Sequence, residues 1–338
     1  MKIETLIPHP SSFILHPSSV IQRFLMSFKE LLQLSIKSED TEEWLDKVFT
    51  RPIGLFFALI WQKLGVHPNA ITVLSIFLGM GAAWMFYYTD LAHNICGVVL
   101  LMLANFCDST DGQLARLANK KSFVGRVLDG FAGDVWFFCI YAALCLRLMP
   151  QEIPFINVLS TLHSPLSTLT WGFWVWPLAY LAGIICHTSQ SSLADYYRQI
   201  HLFFLKGEQG SELDNSPQQL ETLRGLPRNN YLGRIFYYNY ARYCRSQERR
   251  TPQFQGFFHA AGRQCPPPVR QKFLDGSRPL MKYTNILTFN SRAIVLYASC
   301  LLNIPYVFFL FDITVFQIIY IYMHRKHENL CQHLRNEL

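Results

Sequence analysis

The sequence predicts an all-α, polytopic membrane protein with six transmembrane helices, an N-terminal amphipathic interfacial helix, and a long cytoplasmic insert between helices 4 and 5. Two observations carry this prediction. Of the 338 residues, 51% are hydrophobic and only 16% are charged, a more apolar balance than soluble domains show. The apolar residues also gather in blocks, and several blocks reach the roughly 20 helical residues that cross about 30 Å of hydrocarbon.

The N-terminal region divides into two parts. Residues 1–25 repeat His-Pro-Ser-Ser and contain no apolar signal core, so we expect a disordered segment or an over-extended start, with a partner-binding tail as the alternative. Residues 26–66 mix charges with the apolar run 52–61, which is too short to span. We expect this part to be cytoplasmic and to contain the interfacial helix.

The rest of the chain divides into a membrane core, an insert and a terminal pair of spans. Residues 67–205 form the predicted catalytic core, with spans at about 70–89, 93–107, 124–148 and 171–187. Residues 206–282 carry Gly and Pro breaks, aromatic residues and positive charge, and form the predicted cytoplasmic insert. Residues 283–338 hold the fifth and sixth spans, separated near Asn303 and Pro305, and a basic tail.

The basic residues indicate the orientation. They flank the connection between the second and third spans, the insert and the C-terminal tail, whereas the turn at Asp90 has none. By the positive-inside rule, both termini are then cytoplasmic. The net charge of +7 does not predict nucleic-acid binding, because the basic residues lie between apolar blocks rather than along one face. The nine cysteines contain no Cys-x-x-Cys pair and are predicted to be buried free thiols.

Acidic residues cluster where the second span ends and the third begins. In a helix, Asp108, Asp111, Gly112 and Ala115 have the i, i+3, i+4, i+7 spacing and share one stripe. The short connection makes the two helices antiparallel, so Asp129 lies opposite this stripe. Like charges in a low-dielectric setting are costly unless a cation compensates them. Carboxylate ligands favour Mg²⁺ or Mn²⁺; a hydrated polar patch or an ion-conducting path is the alternative.

The same segment offers contacts for a phosphorylated ligand. The small residues Gly112, Ala115 and Gly125 let phosphates approach the backbone closely, and Arg116 supplies a fork of donors.

These residues resemble a known family. From Asp108 to Asp129 the chain matches the signature Asp-x2-Asp-Gly-x2-Ala-Arg-x8-Gly-x3-Asp of the CDP-alcohol phosphatidyltransferases. The stretch from Pro68 to Thr72 is similar to the Pro-Asn-x-x-Thr opening of that family's first span. The resemblance covers residues 67–205 well, and beyond them it extends to the count of six spans.

The resemblance implies a homodimeric membrane enzyme that moves a phosphate-linked group from a CDP-linked donor to an alcohol and releases CMP. It implies that Asp108, Asp111 and Asp129 hold two Mg²⁺ or Mn²⁺ ions. Gly112, Ala115, Arg116 and Gly125 would border the CDP moiety. We expect an integral protein of a bacterial inner membrane with its active site facing the cytoplasm.

One position departs from the family signature. The family spacing places its last Asp at 133, but this chain has Gly133 followed by Asp134. On a regular α-helix, 129 and 134 are about 140° out of phase. A π-turn absorbs one extra residue, so we predict an i to i+5 bond near 129–134. Asp134 would then complete the metal cluster or act as general base on the acceptor, with a merely cavity-lining acid as the alternative.

The polar continuation of the fourth span supplies candidate acceptor contacts, namely Gln190, Ser191, Asp195 and Arg198. This stripe could bind a polyol, inositol-like head group or phosphate, or be solvated with Asp195 paired to Arg198. Transfer from a soluble CDP-alcohol to diacylglycerol or ceramide is the alternative reaction. A non-enzymatic cation transporter is the alternative class, although the sequence has no second copy of the Asp-rich segment.

Overall fold

The computed structural model describes residues 28–35, 38–120, 123–154, 170–262 and 265–338. Within these ranges the chain is helical and contains no β-strand, apart from an isolated bridge between Glu152 and Thr170. The all-α prediction is therefore confirmed for this part of the chain. The expectations for residues 1–25 lie outside the described residues.

Fifteen α-helices are present in the described ranges, and they are named here in chain order. They are α1 (Phe28–Ser35), α2 (Arg51–Lys63), α3 (Pro68–Tyr87), α4 (Leu91–Leu117), α5 (Phe123–Leu148), α6 (Val175–Ala179), α7 (Thr188–Lys206), α8 (Ser216–Gly225), α9 (Tyr231–Arg250), α10 (Pro252–Ala261), α11 (Pro267–Ser277), α12 (Met281–Ile286), α13 (Phe289–Leu301), α14 (Tyr306–Ile313) and α15 (Val315–Asn336). Two π-helical segments, Asp46–Thr50 and Tyr180–His187, lead directly into α2 and α7.

Four helices of the described residues are long and apolar enough to cross a bilayer. They are α3, α4, residues 127–148 of α5, and residues 306–336 of α14 and α15. These correspond to the predicted first, second, third and sixth spans. The predicted fourth span lies in the helical rod 172–206, which contains a π-helical segment. Helix α13 has 13 residues and reaches only about 20 Å.

The break between α13 and α14 lies where the sequence predicts it. Helix α13 ends at Leu301, Asn303 adopts a positive φ of 58°, and α14 begins directly after Pro305. Asn tolerates the left-handed region better than most residues do, and proline is suited to the start of a helix.

Short polar caps fix the starts of the first two spans. The His67 Nδ1 atom accepts a hydrogen bond from the Asn69 N–H, and Pro68 occupies the first turn of α3. At the start of α4, the Asp90 carboxylate accepts a hydrogen bond from the His93 N–H at 3.1 Å. These caps satisfy N–H groups that have no partner inside the helix.

Helices α3, α4 and α5 pack closely through small residues. Gly79 of α3 lies against Trp136 of α5, and a Cβ atom at 79 would be 2.1 Å from the Trp136 ring. Gly97 of α4 lies against Phe86 of α3, where a Cβ atom would be 2.8 Å from the Phe86 ring. Missing side chains let helices approach each other in a membrane, where the lipid is as apolar as the side chains. This packing sets the relative depth of α4 and α5.

Buried polar side chains connect the remaining helices. Arg147 of α5 donates to the side chains of Asn94 and Asn303, at 2.8 and 2.7 Å. Deeper in the helical core, the Asp312 carboxylate accepts hydrogen bonds from Arg292 and from the Tyr141 hydroxyl. Polar groups away from water require such partners, so these contacts fix how α5, α13 and α14 sit together.

The insert packs onto the rest of the chain. Aromatic side chains of α7, α10 and α11 form one core, with Phe204 and Phe273 at 4.3 Å between ring centroids. The Asp40 carboxylate lies 3.2 Å from His201 of α7 and 3.2 Å from Arg278 after α11. The N-terminal segment, the insert and α7 are therefore joined.

Replacing Gly79 with Ala tests the packing of α3 against α5. The added methyl group has no room beside Trp136, so we expect the free energy of unfolding to fall by about 1–3 kcal/mol. Thermal unfolding in detergent measures this loss. Gly81→Ala is the matched control, because its Cβ would meet Leu100 at an ordinary 3.6 Å. Equal unfolding temperatures for the two variants would contradict this account of the packing.

Candidate functional site

Three carboxylates converge at the ends of α4 and α5. Asp108, Asp111 and Asp129 each offer one oxygen, and these oxygens all lie within 4.8 Å of one another. The first two come from successive positions on one face of α4, and the third comes from the neighbouring α5. Such a group of hard oxygen ligands is suited to Mg²⁺ or Mn²⁺. The structure thus brings together three of the four residues predicted to bind metal.

The residue that orients one of these carboxylates comes from α3. The buried Thr72 hydroxyl donates a hydrogen bond to the Asp111 carboxylate and lies 3.4 Å from the carbonyl oxygen of Pro68. This explains why the Pro-Asn-x-x-Thr stretch opens the first span: it places a hydroxyl group beside the acidic face of α4. The sequence indicated the stretch but not this contact.

The N-terminal segment supports the same part of α4 from the other side. Buried Gln113 donates hydrogen bonds to the Arg51 carbonyl oxygen and to Ser109 Oγ, each at 3.1 Å. Gly54 of α2 makes this approach possible, because a Cβ atom there would lie 2.7 Å from Gln113 Nε2. Arg51 in turn makes a two-pronged ion pair with Glu42, at 2.9 and 3.0 Å. Sequence reasoning missed this contact.

Arg116 has hydrogen-bond donors without a partner among the described residues, beside the cluster of Asp108, Asp111 and Asp129. Its Nε and Nη2 atoms are buried and have no hydrogen-bond partner among the described residues. A Cβ atom at Gly112 would lie 3.5 Å from Arg116 Nη1, an ordinary contact, so the fold itself does not require glycine there. Ala115 and Gly125, also predicted to border a ligand, are half-buried. Unpaired buried guanidinium donors suit an anionic ligand such as a phosphate.

Asp134 does not join the three carboxylates. The predicted π-turn near 129–134 is wrong: α5 is an α-helix from Phe123 to Leu148, and the π-helical segments lie elsewhere. A regular helix rotates five residues by about 500°, which leaves Asp134 about 140° away from Asp129. The prediction of Asp134 as a fourth metal ligand is corrected accordingly. Its side chain is exposed, and Cβ atoms at Gly130 and Gly133 would meet nothing within 4 Å.

The predicted acceptor residues of α7 separate into two groups. Gln190 is fully buried, and its amide bonds to Asp312, Gln317 and Arg292, so its predicted contact with an acceptor is corrected to a structural role. Ser191 donates to the carbonyl oxygen of His187 at 3.0 Å.

The other two predicted acceptor residues differ in exposure. Asp195 is exposed and accepts a 3.4 Å hydrogen bond from Gln199. Arg198 donates to Asn285 at 3.1 Å rather than to Asp195, and its Nε atom has no hydrogen-bond partner in the described ranges. Both side chains therefore retain capacity for a ligand.

A second group of possible ligand side chains lies in α15. His327, Glu328 and Cys331 offer atoms within 4.8 Å of one another, and all three are buried. His327 stacks on Tyr197 at 3.9 Å, and Glu328 accepts a hydrogen bond from the Gln253 N–H at 2.8 Å. The buried His327 Nε2 and Glu328 Oε1 atoms have no hydrogen-bond partner among the described residues, so these contacts do not satisfy all polar atoms of the group.

Comparison with known proteins finds a family match over the residues that contain the acidic cluster. Residues 65–183 match the family model described as CDP-alcohol phosphatidyltransferase. The chain is 34% identical over 96 residues to a CDP-diacylglycerol–serine O-phosphatidyltransferase of Bacillus subtilis, a match that covers 28% of this chain and 52% of that protein.

Two further relatives carry related names. The chain is 34% identical over 67 residues to an archaetidylinositol phosphate synthase of Pyrococcus horikoshii, covering 20% of this chain and 34% of that protein. It is 28% identical over 93 residues to a CDP-diacylglycerol–glycerol-3-phosphate 3-phosphatidyltransferase of Rickettsia bellii, covering 28% of this chain and 51% of that protein. The matches thus span about half or less of these relatives.

Replacing Thr72 with Val tests the support of Asp111. Valine keeps the shape but removes the hydrogen bond, so we expect the affinity for Mn²⁺ to fall by roughly 10- to 100-fold. Titration of the purified protein with Mn²⁺, followed by electron paramagnetic resonance of the free ion, measures the change. Ser75→Ala is the control, because the Ser75 hydroxyl donates to the Thr72 carbonyl oxygen at 2.7 Å rather than to a carboxylate of the cluster. Unchanged affinity in Thr72→Val would contradict this role.

Proposed function

Because residues 65–183 belong to the CDP-alcohol phosphatidyltransferase family, we propose that this integral membrane protein transfers a substituted phosphate from a CDP-linked donor to an alcohol and releases CMP. The observation that carries the proposal is the convergence of Asp108, Asp111 and Asp129 within 4.8 Å, beside an arginine with unpaired donors. The product would be a phospholipid or a related phosphodiester lipid.

The acidic cluster is suited to divalent cations. Three carboxylates with oxygens within 4.8 Å repel each other, and Asp111 is also buried; Mg²⁺ or Mn²⁺ would compensate this negative charge. We propose that Asp108, Asp111 and Asp129 hold two such ions, with Thr72 fixing the orientation of Asp111. When bound, the ions stabilise negative charge on the pyrophosphate of the donor.

The donor would lie along the small residues of α4 and α5. The side chains of Gly112 and Ala115 on α4, and of Gly125 at the start of α5, are absent or small. Phosphates can therefore reach the backbone at these positions. The unpaired Nε and Nη2 atoms of Arg116 would donate to phosphate oxygens.

Asp134 is the proposed general base. It lies on α5 near the metal-binding carboxylates but outside their cluster, so its oxygens are not committed to a cation. We propose that it accepts the proton of the acceptor hydroxyl group as the oxygen attacks the donor phosphorus. The new P–O bond forms as the bond to CMP breaks, and CMP leaves with the electron pair of that bond.

The proposed arrangement in the membrane has six spans, with the active site and both termini on the cytoplasmic side of a bacterial inner membrane. The rod 172–206 and helix α13 supply the fourth and fifth spans beside the four long apolar helices. The contacts of Arg51 with α4 and of Asp40 with Arg278 support a topology in which the N-terminal segment, the acids and the insert share one side of the membrane. We also propose that the protein is a homodimer.

The alcohol and the lipid substrate are also proposals. The relatives are named for serine, glycerol-3-phosphate and an inositol phosphate product, so the family match leaves the head group open. We propose CDP-diacylglycerol as donor and a polyol as acceptor, with soluble CDP-alcohol and diacylglycerol or ceramide as the alternative pair.

Release of CMP by the purified protein tests the proposed reaction. We expect CMP only when CDP-diacylglycerol, a suitable alcohol and Mg²⁺ or Mn²⁺ are all present, and none after chelation by EDTA. Asp108→Asn should lower the rate by more than about 100-fold, because it removes one ligand of the cation site. Asp275→Asn, on the exposed side of α11, is the control and should keep the wild-type rate.

The variant Asp134→Asn distinguishes the proposed role of Asp134 as general base from a role as metal ligand. We expect this variant to lose transfer while it binds Mn²⁺ with wild-type affinity, because Asp134 lies outside the cluster. Near-normal turnover would contradict its assignment as the base. A protein that conducts cations but releases no CMP with any alcohol would contradict the proposed function as a whole.

Replacing Gly112 with Ala tests the donor surface. Its methyl group would meet Arg116 only at an ordinary 3.5 Å, so we expect a normal unfolding temperature. The same methyl group would occupy space needed by the donor phosphates, so the KM for CDP-diacylglycerol should rise by at least about tenfold. Steady-state kinetics with varied donor measures this, and an unchanged KM would place the donor elsewhere.

A further inference from the structure

The group formed by His327, Glu328 and Cys331 combines three metal-binding side-chain types on one helix, α15. Each residue offers one ligand atom, and these atoms lie within 4.8 Å of one another. The three residues are 1%, 8% and 0% exposed, so each is more than nine-tenths buried. They follow Arg325 and Lys326, in the tail beyond the predicted sixth span. The group is therefore separate from the oxygen-only acidic cluster of α4 and α5.

The helix holds these side chains at the spacing of a metal site. His327 and Cys331 are i, i+4 neighbours, and Glu328 and Cys331 are i, i+3 neighbours. The His327 Nδ1 atom lies 3.7 Å from the Cys331 Sγ atom. With Zn–N of about 2.1 Å and Zn–S of about 2.3 Å, a tetrahedral angle puts nitrogen and sulfur about 3.6 Å apart. The imidazole and the thiol are therefore already at the separation that a shared zinc ion requires.

The Glu328 carboxylate has one satisfied oxygen and one unsatisfied oxygen. Its Oε2 atom accepts a hydrogen bond from the Gln253 N–H at 2.8 Å, at the start of α10. Its buried Oε1 atom has no hydrogen-bond partner among the described residues, and the same is true of His327 Nε2. Buried polar atoms without partners are costly, most of all on a charged group. A cation bound by Glu328 would supply the missing partner of Oε1, while the Gln253 N–H orients the carboxylate.

Aromatic side chains from three helices fix the imidazole in place. Tyr197 of α7 stacks on the His327 ring, with centroids 3.9 Å apart and planes 23° apart. Phe254 of α10 and Phe273 of α11 meet the same ring at steep angles, 6.1 and 5.9 Å away. Because the ring is already packed, little side-chain freedom remains to be lost when a ligand binds.

We propose that His327, Glu328 and Cys331 bind a structural Zn²⁺ ion that strengthens the contact between α15 and the insert. Imidazole, thiolate and carboxylate are all ligands of zinc, whereas Mg²⁺ and Mn²⁺ prefer oxygen. Binding releases the thiol proton to solvent and involves no change of oxidation state. The charge of the ion then balances the thiolate and the carboxylate, and water takes the fourth tetrahedral position. This site is independent of the proposed transferase function.

Cobalt substitution tests the site. The purified full-length protein is stripped with a chelator and titrated with Co²⁺ in excess Mg²⁺, while the sulfur-to-cobalt charge-transfer absorption is recorded. We expect a saturable band in the wild type, and we expect Zn²⁺ to abolish it by displacing Co²⁺. The acidic cluster has only oxygen ligands and cannot produce this band. Absence of the band in the wild type would overturn the inference.

Cys331→Ser should remove the band and weaken Zn²⁺ binding by more than about 100-fold, because loss of an outer-shell partner alone costs about 10- to 100-fold. Cys300→Ser is the matched control: Cys300 is also 0% exposed but lies outside the group, so the band and the Zn²⁺ affinity should persist. A band of wild-type strength in Cys331→Ser would contradict the assignment.

Glu328→Gln keeps the test decisive if Cys331→Ser does not fold. Glutamine has nearly the same shape and retains an oxygen to accept the Gln253 N–H, but it lacks the negative charge. We expect its Zn²⁺ affinity to fall by at least about tenfold. Added Zn²⁺ should raise the unfolding temperature of the wild type more than that of Glu328→Gln. Equal affinities in the two proteins would show that Glu328 is no ligand and would overturn the proposed site.

Discussion

The structure depends on keeping three carboxylates together at the end of a bundle of apolar helices. Asp108, Asp111 and Asp129 repel one another, and burial makes the charge of Asp111 more costly. Such a group persists only where rigid neighbours hold the helices at fixed depth. The contact of Gly79 with Trp136 provides this rigidity within the bundle, and the hydroxyl group of Thr72 satisfies one carboxylate directly.

The N-terminal segment and the insert act as an outer support for the same group of acids. Helix α2 contacts α4 through the hydrogen bond from Gln113 to Arg51, and the segment before α2 reaches the insert through Asp40 and Arg278. The insert in turn packs an aromatic core against α7 and α15. Because these contacts are continuous, the position of the insert is coupled to the acidic face of α4. The insert thus contacts the segments that support the acidic face of α4.

The single extra residue between 129 and 134 changes the face of α5 on which Asp134 lies. A π-turn would have returned Asp134 to the face of α5 that carries Asp129, but α5 continues as a regular α-helix. The rotation of about 140° turns Asp134 away from the face of α5 that carries Asp129. Asp134 is thereby separated from the cluster of Asp108, Asp111 and Asp129.

The sequence alone determined the helical class, the first three long spans, the break at Asn303 and the acids that meet on α4 and α5. These features follow from hydropathy, helical spacing and turn chemistry, which act between residues close in the chain. Only the tertiary structure decided that Thr72 supports Asp111, that Gln190 is a structural residue, and that α9 covers α7. Those outcomes depend on partners 39 to 127 residues apart, whose meeting is fixed by packing and not by local pattern.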